Sequence, residues 1–280
     1  MPSNSINTNA QSLIALQSLN STNDQLSLIQ KRVTTGYRVA DARDDGGAFA
    51  VAQSVKSDMA GVVAVSEQLG GVKGILETTF AALTVVSDTM KQLRATLTRL
   101  ADGAISADQR KAYEEQYKLL AKQVASFVDD AGYNGRTLLS INAGGTPVGG
   151  NITAIRNETG SLFTIEAVDG KDLKITDVAP ANAALAQASF NSGGAFDAAE
   201  TAISKALNTF GSSMTFVESQ ISYNSKKADA MSNGLGALVD ADLARESSAL
   251  EGIKVRQQLG IQTLSLANQG PQVLLGLFRN

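Results

Sequence analysis

The residues able to carry out acid–base or metal chemistry in this chain are carboxylates, lysines and tyrosines, because its 280 residues include no histidine and no cysteine. Without these two residue types a thiol nucleophile, a zinc–thiolate site and a Ser-His-Asp triad are all excluded. Carboxylates stand closest together at Asp41, Asp44 and Asp45, at Glu114 and Glu115, and at Asp129 and Asp130. The first group could suggest a calcium loop, and the two pairs could suggest paired carboxylates for general acid–base work.

The spacing of these carboxylates argues against such chemistry. The segment Asp41–Asp45 lacks the alternating oxygen ligands of a calcium loop, so we interpret it as a capped, charged turn between two domains. Neighbouring helix positions point about 100° apart, so the two pairs are expected on solvated faces. The glycine-rich segment Gly144–Gly150 lacks the Lys-Ser/Thr that follows in a phosphate loop. The sequence therefore predicts no enzyme, no cofactor, no metal site and no small-molecule substrate.

Charge and hydropathy narrow the range of partners. The net charge of −3 offers no basic footprint for nucleic acid. No apolar run approaches the ~18 residues of a membrane span, which predicts no membrane insertion. The first residues, MPSNSINTNAQSL, lack the basic and apolar regions of a cleaved secretory signal. The expected location is either the cytoplasm or the exterior, reached by a route that needs no such signal.

The first half of the chain has a long heptad pattern, typical of a coiled coil. One row of apolar residues recurs every seven positions, and a second row runs three positions later: Val55, Val62, Leu69, Leu76, Leu83, Met90 and Leu97, then Val65, Val72, Thr79, Val86, Leu93 and Leu100. A helix from about Ala48 to Leu100 would be ~80 Å long. The glycines between Gly70 and Gly74 weaken it, and a bend or break there is the alternative.

The second half repeats the pattern. Its two rows are Ile203, Phe210, Val217, Asn224, Met231 and Leu238, and Leu207, Met214, Ile221, Ala228 and Leu235. The polar Asn224 is either a buried residue that fixes the register or an exposed amide, and the sequence leaves both open. Between the halves, a capping box at Ser106 and Gln109 starts a third helix, which ends before the turn Tyr133–Gly135.

The segment 140–195 differs in composition from the helical halves, because it is rich in glycine and β-branched residues. Turn-like Asn157–Gly160 and Asp169–Gly170 separate runs at 152–156, 162–168 and 173–178, which predicts two or three strands. The fold class is therefore mainly α. We expect a long antiparallel coiled-coil helical rod, formed by the N- and C-terminal halves, with a small β-hairpin-containing insert.

Both ends of the chain read as amphipathic helices with uncharged polar faces. Residues 1–36 contain 19 Ser, Thr, Asn or Gln and only three charged residues. Such a helix alone buries too little apolar surface to offset its ordering entropy, so we expect the ends to pack together and against neighbouring chains. The predicted assembly residues are Leu13, Leu16, Leu19, Leu26, Ile29, Val33, Arg43, Asp44, Asp45, Leu243, Leu250, Ile253, Leu259, Leu264, Leu266 and Leu274.

The two ends resemble those of bacterial flagellin. The N-terminal markers are Ile6-Asn-Thr-Asn9, Thr34-Thr-Gly36, Arg38, Arg43, Asp44 and Asp45; the C-terminal ones are Asp240, Asp242, Leu243, Glu246, Gln257, Gln258, Ala267-Asn-Gln269, Pro271 and Gln272. Each match covers about 40 residues, in the correct order. The heptad halves and the Tyr133–Gly135 turn also fit. The short insert is similar to that of the small flagellins of alphaproteobacteria.

The resemblance implies a structural subunit that polymerises into an extracellular filament for motility. It implies export through the flagellar type III apparatus, an export chaperone and a filament cap. It also implies three domains: an inner one from 1–44 and 240–280, a coiled-coil one from 45–139 and 196–239, and a variable surface insert at 140–195. A flagellin-like protein of the hook–filament junction is the alternative, because its ends are similar.

The segment Lys91–Leu97 departs from the family. The toll-like receptor that senses many flagellins reads Arg, Arg, Glu and Leu on one helix, and here only Arg94 clearly matches, whereas Gln92, Ala95 and Thr96 do not. The resemblance therefore predicts weak or absent recognition by that receptor.

Overall fold

A computed structural model describes the backbone of residues 9–143, 146–175 and 178–277, with side chains throughout except at 140–148 and 270–277. Parts of several sequence predictions lie outside the described residues or side chains. They are the start of the Ile6–Asn9 motif, the pair Gly144–Gly145, residues 176–177 of the third predicted strand, and the side chains of Pro271, Gln272 and Leu274.

The fold is mainly helical, which confirms the predicted class. Its helices are α1 Ala10–Thr35, α2 Gly46–Leu100, α3 Ala107–Asp129, α4 Ala183–Phe190, α5 Ala195–Val239 and α6 Leu243–Leu277. Its strands are β1 Leu139–Ala143, β2 Thr146–Val148, β3 Ile152–Ile155, β4 Leu162–Ile165 and β5 Val168–Asp169. The chain divides into two compact units, a larger one of Asp58–Asp229 and a smaller one of Met1–Ser57 with Ala230–Asn280.

The heptad rows of α2 form the core of the larger unit. Leu69, Leu76, Leu83 and Leu97 are completely buried, and so are most residues of the second row. By length and composition α2 alone among the described helices could cross a membrane, but these buried side chains make it a core helix. Helix α5 packs antiparallel to α2, as the ion pairs Lys73–Glu218 (2.9 Å) and Arg94–Glu200 indicate.

Helix α2 is continuous from Gly46 to Leu100, so the alternative of a break near residues 70–74 is wrong. Two of its glycines instead leave room for other segments. A Cβ at Gly61 would lie 3.1 Å from the Cβ of Glu158, and a Cβ at Gly74 would lie 3.2 Å from the ring of Tyr133. The packing of these segments against the helix offsets the low helix propensity of glycine.

Helix α3 begins and ends as predicted. Ser106 and Gln109 form the capping box, in which each side chain accepts a hydrogen bond from the other residue's backbone N–H. After the helix, Tyr133 and Arg136 exchange two backbone hydrogen bonds of 2.9 and 3.0 Å. The positive φ angles of Asn134 (49°) and Gly135 (72°) are those that a tight hairpin turn requires.

The insert contains two small sheets. Strands β3 and β4 form the predicted antiparallel hairpin, with Ile152 opposite Ile165. A second sheet has the order β2-β1-β5, with β1 and β5 parallel. Residues 173–175 of the third predicted strand are not a strand, because the N–H groups of Leu173 and Lys174 bond to Gly170 and Lys171 in turns. Helix α4 and strands β1 and β2 were not predicted, since short elements have weak periodicity.

Asn224 holds the β3–β4 hairpin on α5. Its side chain is buried, which decides between the two sequence interpretations in favour of the buried one. The Asn224 Nδ2 donates to the carbonyl of Arg156 (3.3 Å), and Gln220 Nε2 donates both to that carbonyl and to Asn224 Oδ1 (3.0 Å each). The ion pair Lys227–Glu158 closes the same contact. The polar heptad position therefore docks the insert at a defined place on the helix.

Replacing Gly61 by Gln should destabilise the larger unit, whereas Gly70→Gln should not. Glutamine at position 61 forces the Glu158 turn away, at a cost of about 1–3 kcal/mol for overpacking. Gly70 faces open space, so glutamine there should add up to ~1 kcal/mol through its helix propensity. Thermal unfolding followed by circular dichroism measures both variants, and equal melting temperatures would contradict the docking role of Gly61.

Candidate assembly surface

Helices α1 and α6 of the smaller unit run antiparallel and are joined by polar contacts. Asn9 Nδ2 donates to the carbonyl of Ala267 (2.7 Å), Ser12 Oγ to Asn268 Oδ1 (2.8 Å) and Gln257 Nε2 to Asn23 Oδ1 (2.8 Å). At the other end of the pair, Arg32 forms an ion pair with Glu246 (3.2 Å). As residue numbers rise along α1, those of their partners fall along α6.

A heptad seam lies between the two helices. Its positions, half-buried apart from the buried Ile253, are spaced alternately three and four residues apart on each helix, as in a coiled coil. They are Ser12, Ala15, Leu19, Thr22, Leu26, Ile29 and Val33 on α1, and Glu246, Leu250, Ile253, Gln257, Gly260, Leu264 and Ala267 on α6. No side chain of α1 is buried, and among the described side chains of α6 only Ile253 is buried. The seam is narrow and partly polar.

The structure separates the predicted assembly leucines into two sets. The first set lies in the seam: Leu19, Leu26, Ile29, Val33, Leu250, Ile253 and Leu264. The second set is exposed to solvent: Leu13, Leu16, Leu243, Leu259 and Leu266. Four further exposed apolar residues, Ile14, Leu28, Val255 and Ile261, were missed. They lie off the heptad row, so counting apolar residues outside that row could have found them.

One flank of the helix pair is a shallow groove with polar walls. Two contiguous parts of it, of about 450 and 280 Å³, are lined mainly by hydroxyl and amide side chains. Its lining residues include Gln17, Ser18, Ser21, Thr22, Gln25, Arg256, Leu259 and Thr263. Serine, threonine and glutamine form the α1 wall of the groove, as expected for the N-terminal end. The uncharged face expected for the C-terminal end is wrong, because Arg245, Glu251, Lys254 and Arg256 are exposed on α6.

A short connection ties the end of α1 to the start of α6. Gly36 ends α1 with a φ of 73°, and its N–H bonds to the carbonyl of Arg32. The N–H groups of Arg38 and Val39 donate to the carbonyl of Val239 (2.7 and 3.2 Å), and that of Ala241 donates to Gly36 (2.9 Å). These bonds fix the loop after α1 beside the end of α5.

The charged turn at residues 41–45 is organised by Lys31. The Lys31 ammonium lies 2.8 Å from a carboxylate oxygen of both Asp41 and Asp44. The hydrogen bond from Lys31 and a second one from the N–H of Arg43 lower the pKa of Asp41 to about 2. Lys31 and the N–H of Ala40 likewise lower the pKa of Asp44. Two of the carboxylates considered for calcium are thus paired with a cation of the chain itself.

The other two predicted residues of this turn have separate surroundings. Asp45 Oδ1 accepts the N–H of Ala48 (3.0 Å) at the start of α2. The Arg43 side chain is almost fully exposed, with a single contact of 3.4 Å to Asp41. Across the described ranges no three acidic side chains come close enough to hold a metal ion.

Two family models match the chain. The bacterial flagellin N-terminal helical region matches residues 6–143, and the bacterial flagellin C-terminal helical region matches residues 194–278. The segment between the two matches contains most of the predicted insert.

Curated relatives match over the whole chain. The flagellin FljK of Caulobacter vibrioides is 32% identical over 100% of both chains. A flagellin of Brucella melitensis is 34% identical over 98% of this chain and 99% of its own.

Solved structures share the fold at lower identity. The Bacillus cereus flagellin crystal structure has a TM-score of 0.50 at 22% identity, over 56% of this chain and 88% of its own. A proposed flagellar hook-associated protein of Vibrio parahaemolyticus has a TM-score of 0.59 at 14% identity, over 70% of this chain and 100% of its own. From the matched ends and the full-length relatives, the chain belongs to the bacterial flagellin family, whose members are structural proteins of the extracellular flagellar filament and not enzymes.

Proposed function

We propose that this flagellin polymerises by placing the exposed apolar residues of α1 and α6 against neighbouring copies, while the seam residues hold each helix pair together. The observation that carries the proposal is the exposure of Leu13, Leu259 and Leu266 on helices with almost no buried side chain. Contact with another copy removes this apolar area from water, which is the main favourable term in protein association.

As a family member the chain is a structural subunit of the flagellar filament. The junction protein between hook and filament is the weaker candidate. The relatives at 32–34% identity are flagellins, whereas the likeness to the hook-associated structure, at 14% identity, concerns the fold alone.

Folding and polymerisation are coupled in this proposal. A seam with half-buried side chains stabilises an isolated helix pair weakly, so α1 and α6 gain much of their order when neighbours cover them. Residues 1–44 and 240–280 then form the inner, polymerising domain, residues 45–139 and 196–239 form the coiled-coil domain, and residues 140–195 form the variable surface insert. An export chaperone and a filament cap are the further partners that the family implies.

The three predicted charged residues of the turn at 41–45 also have different roles in this proposal. Asp44 and Asp45 act inside the subunit, since Asp44 holds Lys31 and Asp45 caps α2. The Arg43 side chain, 92% exposed and held only by its 3.4 Å contact with Asp41, is the one of the three that extends toward a neighbouring copy. A mutation of Asp44 should therefore affect polymerisation indirectly, by changing the conformation of the loop. A mutation of Arg43 should affect it directly, by removing a contact with a neighbouring copy.

Leu266→Ser should reduce filament formation, whereas Leu162→Ser should leave it unchanged. Leu266 is 70% exposed on α6 and Leu162 is 64% exposed on β4 of the insert, so both changes remove a similar exposed side chain. We expect a rise of roughly tenfold in the critical concentration for Leu266→Ser, from an apolar contact worth about 1.5 kcal/mol. Sedimentation and electron microscopy measure it, and equal behaviour of the two variants would oppose the assigned surfaces.

The Lys31 contacts should be lost in acid. Because the folded-state pKa of Asp41 is depressed from 3.8 to about 2, its contribution is complete above about pH 4 and disappears as the pH falls through about 2. Lys31→Met should return the pKa of the Asp41 carboxyl toward 3.8, which carbon-13 NMR of labelled aspartate measures. The stability difference between wild type and Lys31→Met should vanish at the same low pH. An unchanged titration midpoint in Lys31→Met would contradict this assignment.

Recognition by the toll-like receptor should be weak. Arg94, the one clear match to the recognised segment, pairs with Glu200 and lies over the rings of Phe190 and Phe196. Its guanidinium is therefore engaged within the chain. A receptor reporter exposed to purified monomer measures recognition, and a strong response would refute this expectation.

A further inference from the structure

Asp24 on α1 and Arg256 on α6 are exposed charges with no ion pair among the described residues. The other two charges of α1 are satisfied within the chain, because Lys31 bonds to Asp41 and Asp44 and Arg32 bonds to Glu246. Asp24 is consequently the one unpaired charge on the described part of α1.

Asp24 lies on the face of α1 that points away from α6. The seam positions Thr22 and Leu26 are each two residues from it, a rotation of about 200° at 3.6 residues per turn. The exposed Leu13 and Leu28 share this outer face, whereas Ile14 lines the groove beside Arg256. The outer face of α1 is therefore a carboxylate with apolar residues on either side along the helix.

Arg256 stands on a flank of α6 with complementary chemistry. It lines the groove together with Leu259 and Thr263. Leu266 lies seven residues beyond Leu259 and so continues the same side of the helix. This flank combines a guanidinium with two exposed leucines. Arg245, Glu251 and Lys254 are also without an ion pair among the described residues, but none of them lines this groove.

The spacing on the two surfaces also agrees. Leu13 precedes Asp24 by eleven residues and Leu266 follows Arg256 by ten, about 15–17 Å on each helix. An antiparallel contact that brings Asp24 to Arg256 therefore also brings Leu13 to within one residue of the level of Leu266. It has the same register that α1 and α6 keep within one chain.

We propose that Asp24 of one subunit pairs with Arg256 of a neighbouring copy, so that the outer face of α1 packs on the groove flank of the neighbour's α6. This inference rests on the proposed function and specifies one of its contacts. The two surfaces differ, so the contact is heterologous, and a pair of copies keeps one unused surface of each kind. Contacts of this kind do not close a dimer, and they build an open filament when each added copy is also shifted along the filament axis.

Charge reversal tests the pair in the full-length protein. Asp24→Lys and Arg256→Glu should each raise the critical concentration for polymerisation about tenfold or more, because each places like charges together. The double variant should recover to within about threefold of wild type. Asp24→Lys with Lys254→Glu is the matched control. It makes the same change of charge at a residue outside the groove, and it should not recover.

The outcomes separate this inference from the proposed function. If wild-type protein forms no filaments, the proposed function itself fails. If wild type polymerises and Asp24→Lys does so at the same concentration, the pair is wrong. Recovery by Lys254→Glu equal to that by Arg256→Glu would also overturn it, since the effect would then follow net charge alone.

Cross-linking gives a second measurement that does not depend on stability. The chain has no cysteine, so Asp24→Cys with Arg256→Cys supplies the only thiols. A disulfide requires Cα atoms within about 7 Å, which a pair made through the long arginine side chain need not meet, so a short bismaleimide joins the two thiols in assembled filaments. We expect a ladder of covalent multimers on a denaturing gel, absent from either single variant. Monomer alone from treated filaments of the double variant would contradict the contact.

Discussion

The narrow seam between α1 and α6 is the interaction that holds the two ends of the chain together, and the proposed assembly depends on it. One buried side chain, Ile253, stands among half-buried leucines, small residues and amides along the described seam. Such a seam sets the register of the pair, through contacts such as Gln257 with Asn23, but buries little apolar surface. The remaining apolar side chains of α1 and α6 are exposed to solvent, and in the proposed filament a neighbouring copy covers them. A wider seam would stabilise the monomer and leave less surface for the polymer to bury.

In the larger unit the same heptad pattern forms a buried hydrophobic core. Its rows on α2 are buried at most positions, and Ile203, Phe210 and Val217 of α5 are buried with them, so this unit has a core of its own. Another segment docks at two places on these helices. The polar Asn224 on α5 and the small Gly61 on α2 both contact the turn of the β3–β4 hairpin. Stability and assembly are thus assigned to different parts of one heptad-patterned chain.

Sequence periodicity predicted the long elements well because burial repeats along them many times. Helix α2, helix α3 with its capping box, and the β3–β4 hairpin all appear where the pattern puts them. The alternative of a break at residues 70–74 was wrong because helix propensity counts a glycine as a cost and takes no account of a segment packed against it. The third predicted strand was wrong because Leu173 and Ile175 are buried in the core without pairing as a strand, and Leu173 lies in a turn.

The candidate assembly surface was also predicted only in part from the sequence. The sequence by itself determined the mainly helical class, the heptad rows, the polar ends and the flagellin resemblance, because each is a repeated or ordered pattern of residue types. Only the tertiary structure decided which terminal leucines face the partner helix and which face solvent. It also decided that Lys31 holds Asp44, and that Asp24 and Arg256 remain unpaired. A periodic pattern marks the apolar side of a helix, whereas the pairing of individual side chains depends on the register of segments more than 200 residues apart.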